Sequence, residues 1–174
     1  HLFAKEQAER AVEHDEPEIL QSDLTGFWLE LLQWGGHDLA QLTWLDAPPA
    51  AALAAARALL HRLGATDDGD KLTAPGRQMA AQGCEPRLAA MLVAGAALSA
   101  DGLATAALLA ALLEEPPRGG QMDIGYWLSR PQPNWRQRAA QLAKRLPQRA
   151  GQVDADLAPR LLALAFTDRI AQRR

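Results

Sequence analysis

The sequence predicts a mainly α-helical protein, and three observations carry that expectation. Alanine and leucine supply most of an apolar share of 48%, whereas aromatic residues make up only 5%. Both are strong helix formers, and the β-branched and aromatic residues that favour sheets are scarce. Apolar residues also recur at helical spacing, in segments punctuated by glycine, proline and N-capping side chains where helix ends require them. A chain of 174 residues buries about two-thirds of its unfolded surface, enough for one core or two small ones.

Residues 1–16 are helix-like and acidic but lack a continuous apolar stripe, and read as a linker or the tail of a preceding domain. Pro17 interrupts them, having no N–H to donate. Ser22 or Asp23 can then cap a helix running to about Trp34, with Leu24, Phe27, Leu31 and Trp34 on one face. Gly35-Gly36 ends it, and a short element from Leu39 to Trp44 follows. Asp46 is a plausible cap for the next helix, with Pro48 and Pro49 in its first turn, where missing donors cost least.

That helix, about Ala50 to Leu63, places Leu53, the Arg57 stem, Leu60 and Leu63 near one side, and Gly64 serves as its C′ residue. Ala65-Thr66 and Lys71-Leu72 form short arms around Asp67-Asp68-Gly69-Asp70, a hairpin signal. Thr73 caps another helix, with Pro75 early in it and Gly83 closing it. Helix, tight hairpin, helix is the punctuation of a winged helix. The plainer alternative is an interhelical turn in an all-α domain. From Pro86 the texture changes: Pro86–Leu98, Gly102–Leu113, Asp123–Leu128, Trp135–Leu146 and Asp156–Phe166 read as successive helices of a bundle, separated by Ser99-Ala-Asp-Gly, Pro116-Pro-Arg-Gly-Gly, Arg130-Pro-Gln-Pro-Asn and Gln148-Arg-Ala-Gly. The expected organisation is therefore a tail or linker (1–16), a winged-helix domain (17–83) and a helical bundle (84–174).

Several function classes find no support. There is no G-x-x-x-x-G-K-[ST] phosphate loop, and His1, His14, His37 and His61 with the single Cys84 lack metal-ligand spacing. No local nucleophile–base signature is present, so no catalytic, cofactor-binding or metal-binding residue is expected. One cysteine precludes an intrachain disulfide and fits a reducing, cytoplasmic setting. No apolar run is long enough for a membrane span, so no membrane partner is expected.

Charge is unevenly placed. Residues 1–120 hold 8 basic and 17 acidic side chains, and residues 121–174 hold 10 basic and 4 acidic ones. A basic third behind an acidic body suggests that one face meets something anionic, although a solvated surface or a docking face for acidic neighbours has the same appearance. In Trp135–Leu146, the residues Trp135, Ala139, Leu142 and Leu146 form a narrow apolar stripe at 100° per residue. Arg138, Gln141 and Arg145 line up beside it, Arg136 and Lys144 lie on the far side, and Arg149 stands just beyond. Arg136, Arg138, Lys144, Arg145 and Arg149 are thus the candidate nucleic-acid-binding residues, able to track a phosphate backbone. Snorkelling over an apolar seam is the structural alternative. Arg169, Arg173 and Arg174 repeat the signal more weakly. Trp28, Trp34 and Trp44 are read as core-filling rings in preference to base-stacking platforms.

The order of several short segments resembles a known family. They are Glu18-Ile-Leu-Gln-Ser-Asp-Leu24, Leu42-Thr-Trp-Leu-Asp-Ala-Pro-Pro49, Leu59-Leu-His-Arg-Leu-Gly-Ala65, Leu72-Thr-Ala-Pro-Gly-Arg-Gln-Met-Ala80, Pro86-Arg-Leu-Ala-Ala-Met-Leu92 and Ala97-Leu-Ser99. Together they resemble the region after the motor core of DEAH-box helicases, and the ending Leu161 to Arg174 resembles that family's bacterial HrpB branch. The resemblance implies a winged helix followed by a ratchet (helicase-associated) domain that closes over a single strand of RNA or DNA. It also implies RecA-like motor domains and a C-terminal domain in the same polypeptide, with ATP and magnesium bound by the motor. The motor motifs are absent, and both ends look cut, so the chain reads as a piece of a longer protein. Two other readings remain. One is an assembly module for protein partners or sibling domains, without nucleic-acid contact. The other is a sequence-specific winged-helix regulator, for which Ala50–Leu63 offers only Arg57, His61 and Arg62 as reading side chains.

Overall fold

A computed structural model describes residues 23–36, 47–118 and 123–168. Eight α-helices are described: α1 (Thr25–Gln33), α2 (Ala50–Arg62), α3 (Ala74–Ala80), α4 (Pro86–Leu98), α5 (Ala100–Glu114), α6 (Ile124–Ser129), α7 (Pro133–Ala143) and α8 (Ala158–Ala165), the last preceded by a 3₁₀ turn over Ala155–Leu157. The tail expected over residues 1–16, the element Leu39–Trp44, and Arg169, Arg173 and Arg174 lie outside the described residues.

Helix α5 organises the rest. Every residue from Gly102 to Leu112 is buried, as expected of a helix that is apolar all round and must be wrapped by others. Helices α4, α7 and α8 do the wrapping, and α3 and α1 extend the packing through α4. One cluster of buried side chains runs from Leu24 through Leu60, Met79, Met91 and Leu109 to Leu142 and Leu161. This core spans the division expected at residues 83–84.

Helices α4 and α5 form a tight antiparallel pair joined at Ser99 alone. The Ser99 hydroxyl accepts from the Gly102 N–H at 2.9 Å, capping α5. The connection Ser99-Ala-Asp-Gly expected between these helices is thus a single residue, because Ala100 and Asp101 form the first turn of α5. Two glycines permit the crossing: a Cβ on Gly95 would lie 2.6 Å from the Gly102 carbonyl oxygen, and the reverse distance is the same.

The apolar face of α1 is rotated from the expected one. Thr25, Trp28, Leu29 and Leu32 are buried, whereas Trp34 is 87% exposed. Helical spacing alone fits either stripe; the observed one places Trp28 against the core. Trp28 therefore fills the core as expected, Trp34 does not, and Trp44 lies outside the described residues. The N-cap position is Leu24 and not Asp23, one of the two expected caps; Asp23, one residue earlier, accepts from the Thr25 N–H at 2.9 Å.

Between α2 and α3, Gly64 takes φ 72° as the C′ residue, and the Thr73 hydroxyl accepts from the Gly76 N–H at 3.0 Å. The arms on either side of the tip meet through one antiparallel bridge, Thr66 to Leu72, outside any strand. The structure thus shows a bridged turn, with Asp67 accepting from the Gly69 and Lys71 N–H groups at 2.9 Å each.

Candidate nucleic-acid interface

The five candidate cations divide as the helical spacing places them, Arg138 and Arg145 on one flank and Arg136, Lys144 and Arg149 away from it, and the two sets differ in their partners. Helix α7 begins at Pro133, two residues before the expected start, because proline suits the first helical position. Trp135, Leu142 and Leu146 are buried as the apolar stripe requires. The Trp135 indole N–H donates to the Glu115 carbonyl at 3.0 Å, fixing the ring at the end of α5.

Arg138 lies on one flank of that stripe and makes a two-pronged ion pair with Glu114, Nε to Oε2 at 2.6 Å and Nη2 to Oε1 at 2.8 Å. This hydrogen bonding to the carboxylate raises the guanidinium's pKa still further. Arg145, almost two turns on and on the same flank, donates to the Gln82 carbonyl oxygen. The latter contact needs Gly83: its φ is 62°, and a Cβ there would lie 2.7 Å from Arg145 Nη1. Cys84 sits in the same junction, where burial is the main cause pushing its thiol up to about 11.

Arg136, Lys144 and Arg149 are exposed, and their side chains make no hydrogen bond or ion pair among the described residues. Arg136 projects from the opposite flank of α7, at the edge of an apolar groove of about 290 Å³ lined by Ala104, Leu108, Ala139, Ala143 and Val153. Lys144 follows the last helical residue and Arg149 stands in the loop beyond. Cations near a helix C-terminus are favoured by its dipole, so their placement costs the fold little.

The side chains that a winged-helix regulator would use are largely engaged elsewhere. Arg57 pairs with Asp70 at 2.8 Å and stacks over Trp28 at 4.8 Å, and His61 Nε2 lies 3.1 Å from Asp68. The turn they hold carries three aspartates, which repel a phosphate backbone.

Sequence reasoning also missed a buried arginine's ion pair. Arg87, at the start of α4, is buried and donates from Nη1 and Nη2 to the two Asp168 carboxylate oxygens at 2.6 and 2.8 Å. It also donates to the Ala165 carbonyl at 3.0 Å and lies over the Phe166 ring. The Asp168 hydrogen bonds raise its pKa further. A lone arginine opening an otherwise apolar helix was the available signal, but a partner 81 residues away was not. Among the described residues no group of three His, Cys, Asp or Glu side chains is placed to hold a metal ion.

No family model matches the chain. It is, however, 59% identical over all 174 residues to the ATP-dependent RNA helicase HrpB of Escherichia coli strain K12, and spans 21% of that protein. A second relative, the probable ATP-dependent RNA helicase DHR2 of Saccharomyces cerevisiae, is 34% identical over 92 residues, 53% of this chain and 12% of that one. Two crystal structures of the E. coli protein, one described as a DExH-box NTPase and the other as a DEAH/RHA helicase, align over the whole chain. Their TM-scores are 0.90 and 0.91 at 59% identity, covering 21% and 22% of those chains. The helical fold and these matches define a segment of the DEAH-box helicase class. Within that class the chain belongs to the bacterial HrpB type, about a fifth of whose length it spans.

Proposed function

We propose that this chain is an accessory region of an ATP-dependent RNA helicase, guiding a single strand and bracing the motor while performing no chemistry itself. In this reading residues 17–83 act as a winged-helix hub and residues 84–174 as a ratchet-like bundle. RecA-like motor domains and a C-terminal domain of the same polypeptide are the partners, and hydrolysis of ATP by the motor moves the strand past the bundle. RNA is the preferred strand because both relatives carry RNA helicase in their names. The observation that carries the proposal is the set of three unpaired cations, Arg136, Lys144 and Arg149, at and beyond one helix of a helicase segment. Such groups neutralise phosphates and release counterions, so binding weakens as salt rises. Fluorescence anisotropy of a labelled single-stranded oligouridine tests this across a potassium chloride series. Weak binding that falls linearly with salt on logarithmic axes supports the strand guide. Binding indistinguishable from that of an uncharged polymer refutes it.

A second reading, an assembly surface without nucleic-acid contact, draws on the exposure of Trp34 (87%) and Leu164 (45%). Large apolar side chains in water are what a sibling domain would cover. The same titration separates the two, since an assembly surface gives no salt-dependent RNA binding.

A further inference from the structure

We infer that Arg138 and Arg145 are positioning residues that aim the strand-binding cations, Arg138 without touching the strand, and that the acidic Glu114 promotes RNA binding. This rests on the strand-guide reading above and deepens it. Arg138 and Arg145 differ by seven residues, so they project within about 20° of each other around a helix axis. Arg136 projects from the other side. One flank of α7 therefore holds the helix in place, and the other flank with the C-terminal turn carries the free charges.

The anchoring flank is fixed at both ends. At the N-terminal end, the last turn of α5 and the residue after it hold three side chains of α7. Glu114 takes Arg138, the Glu115 carboxylate accepts from Asn134 Nδ2 at 2.9 Å, and the Glu115 carbonyl accepts from the Trp135 indole. At the C-terminal end, Arg145 reaches the Gln82 carbonyl across the junction where α3 meets α4. Lys144 is the neighbour of Arg145, so the Gln82 contact fixes the backbone from which Lys144 projects. Arg149 follows four residues later.

A direct phosphate contact by Arg138 conflicts with this geometry. Reaching a strand would break both hydrogen bonds to Glu114 and leave that carboxylate unpaired beside the phosphates, where it repels them. The pair as it stands is close to neutral and contributes little to attraction.

Glu114→Gln gives the decisive test because contact and positioning predict opposite signs. If Arg138 touches RNA, removing Glu114's charge frees a cation, deletes a repulsive anion and tightens binding. If Arg138 positions α7, the same change loosens the helix and weakens binding despite the more favourable net charge. The full chain is titrated with labelled single-stranded oligouridine across the potassium chloride series, at a temperature where circular dichroism shows each variant folded. Coupled positions of this kind exchange enough energy for an effect of about tenfold. The expected result is Kd raised by about that factor for Glu114→Gln, with the salt slope unchanged because no phosphate contact is lost. The exchanged pair, Glu114→Arg with Arg138→Glu, regains most of the affinity. Tighter or unchanged binding by Glu114→Gln, or a salt slope that falls by about 0.7 in Arg138→Gln, overturns the inference. Absence of salt-dependent binding by the unaltered chain overturns instead the strand-guide reading beneath it.

Discussion

Replacing Gly95 by alanine opposes two effects whose sizes decide the outcome. Gly95 lies within α4, where alanine gains about 0.5–1 kcal/mol from lower backbone entropy in the unfolded chain and better helix propensity. The new methyl, however, would stand 2.6 Å from the Gly102 carbonyl oxygen and 2.8 Å from the Ala106 Cβ. Ordinary contacts at such atoms are longer by about 0.7 Å, and overpacking a filled core costs about 1–3 kcal/mol. Gly102's oxygen is backbone in a buried helix and cannot rotate away, so the cost falls in the upper part of that range. The net effect is a loss of about 1–2 kcal/mol. For a chain of this size that lowers Tm by about 3–6 °C. Gly26 is the internal control: it lies in α1 with its nearest neighbour, a Pro86 ring carbon, 3.9 Å from the added methyl. Gly26→Ala should raise Tm by a degree or two, consistent with a gain of about 0.4–1 kcal/mol. Thermal melts followed by far-UV circular dichroism compare the two. A Gly95→Ala protein as stable as Gly26→Ala would show that α4 and α5 do not cross where the structure places them.

Three further outcomes follow from the same contacts. Asp168→Asn removes the charge that the buried Arg87 requires and should cost about 2 kcal/mol, a little below the range for fully buried pairs because Asp168 is a third exposed; the Tm of this variant measures it. Cys84, with its thiol pushed from 9.0 up to about 11, should be alkylated at pH 8 roughly a hundredfold more slowly than an ordinary cysteine, in proportion to its thiolate fraction. Iodoacetamide labelling followed by mass spectrometry reads this rate. The Asp67 carboxylate is held below its ordinary 3.8, first by the Lys71 N–H and more weakly by the Gly69 N–H. A depressed value in the fold means that its support of the turn is complete above 3.8 and disappears as pH falls through the lower folded value. A carbon NMR titration of this carboxyl should give a midpoint under 3.8, and a midpoint at or above 3.8 would contradict the two turn hydrogen bonds.

Much of the fold was legible because its signals are local. Thr73 capping α3, Gly64 at positive φ and the start of α4 at Pro86 each depend on residues within one turn of the position they mark. The misreadings share a different cause. The stripe on α1 was misphased because leucine and tryptophan occur on both faces, and only the partner helices decide which face is buried. Ser99-Ala-Asp-Gly looked like a four-residue connection because glycine and aspartate usually break helices, yet Gly102 is retained for a close crossing. The basic helix was legible as a helix and as a charged surface. What spacing could not reveal is that Glu114 and the Gln82 carbonyl, 24 and 63 residues from the arginines they bind, occupy one flank of it. The distinction between anchoring and free cations is a tertiary fact.

The most direct test of the strand-guide account replaces Arg136, Lys144 and Arg149 together by alanine. These side chains are exposed and unpaired among the described residues, so Tm should stay within about a degree of the unaltered chain, as expected for surface positions. Each phosphate contact on a single strand contributes about 0.7 to the logarithmic salt slope, so the slope for oligouridine binding should fall by about 2. An unchanged slope in a fully folded triple variant would mean that the strand, if it binds, runs elsewhere on the molecule.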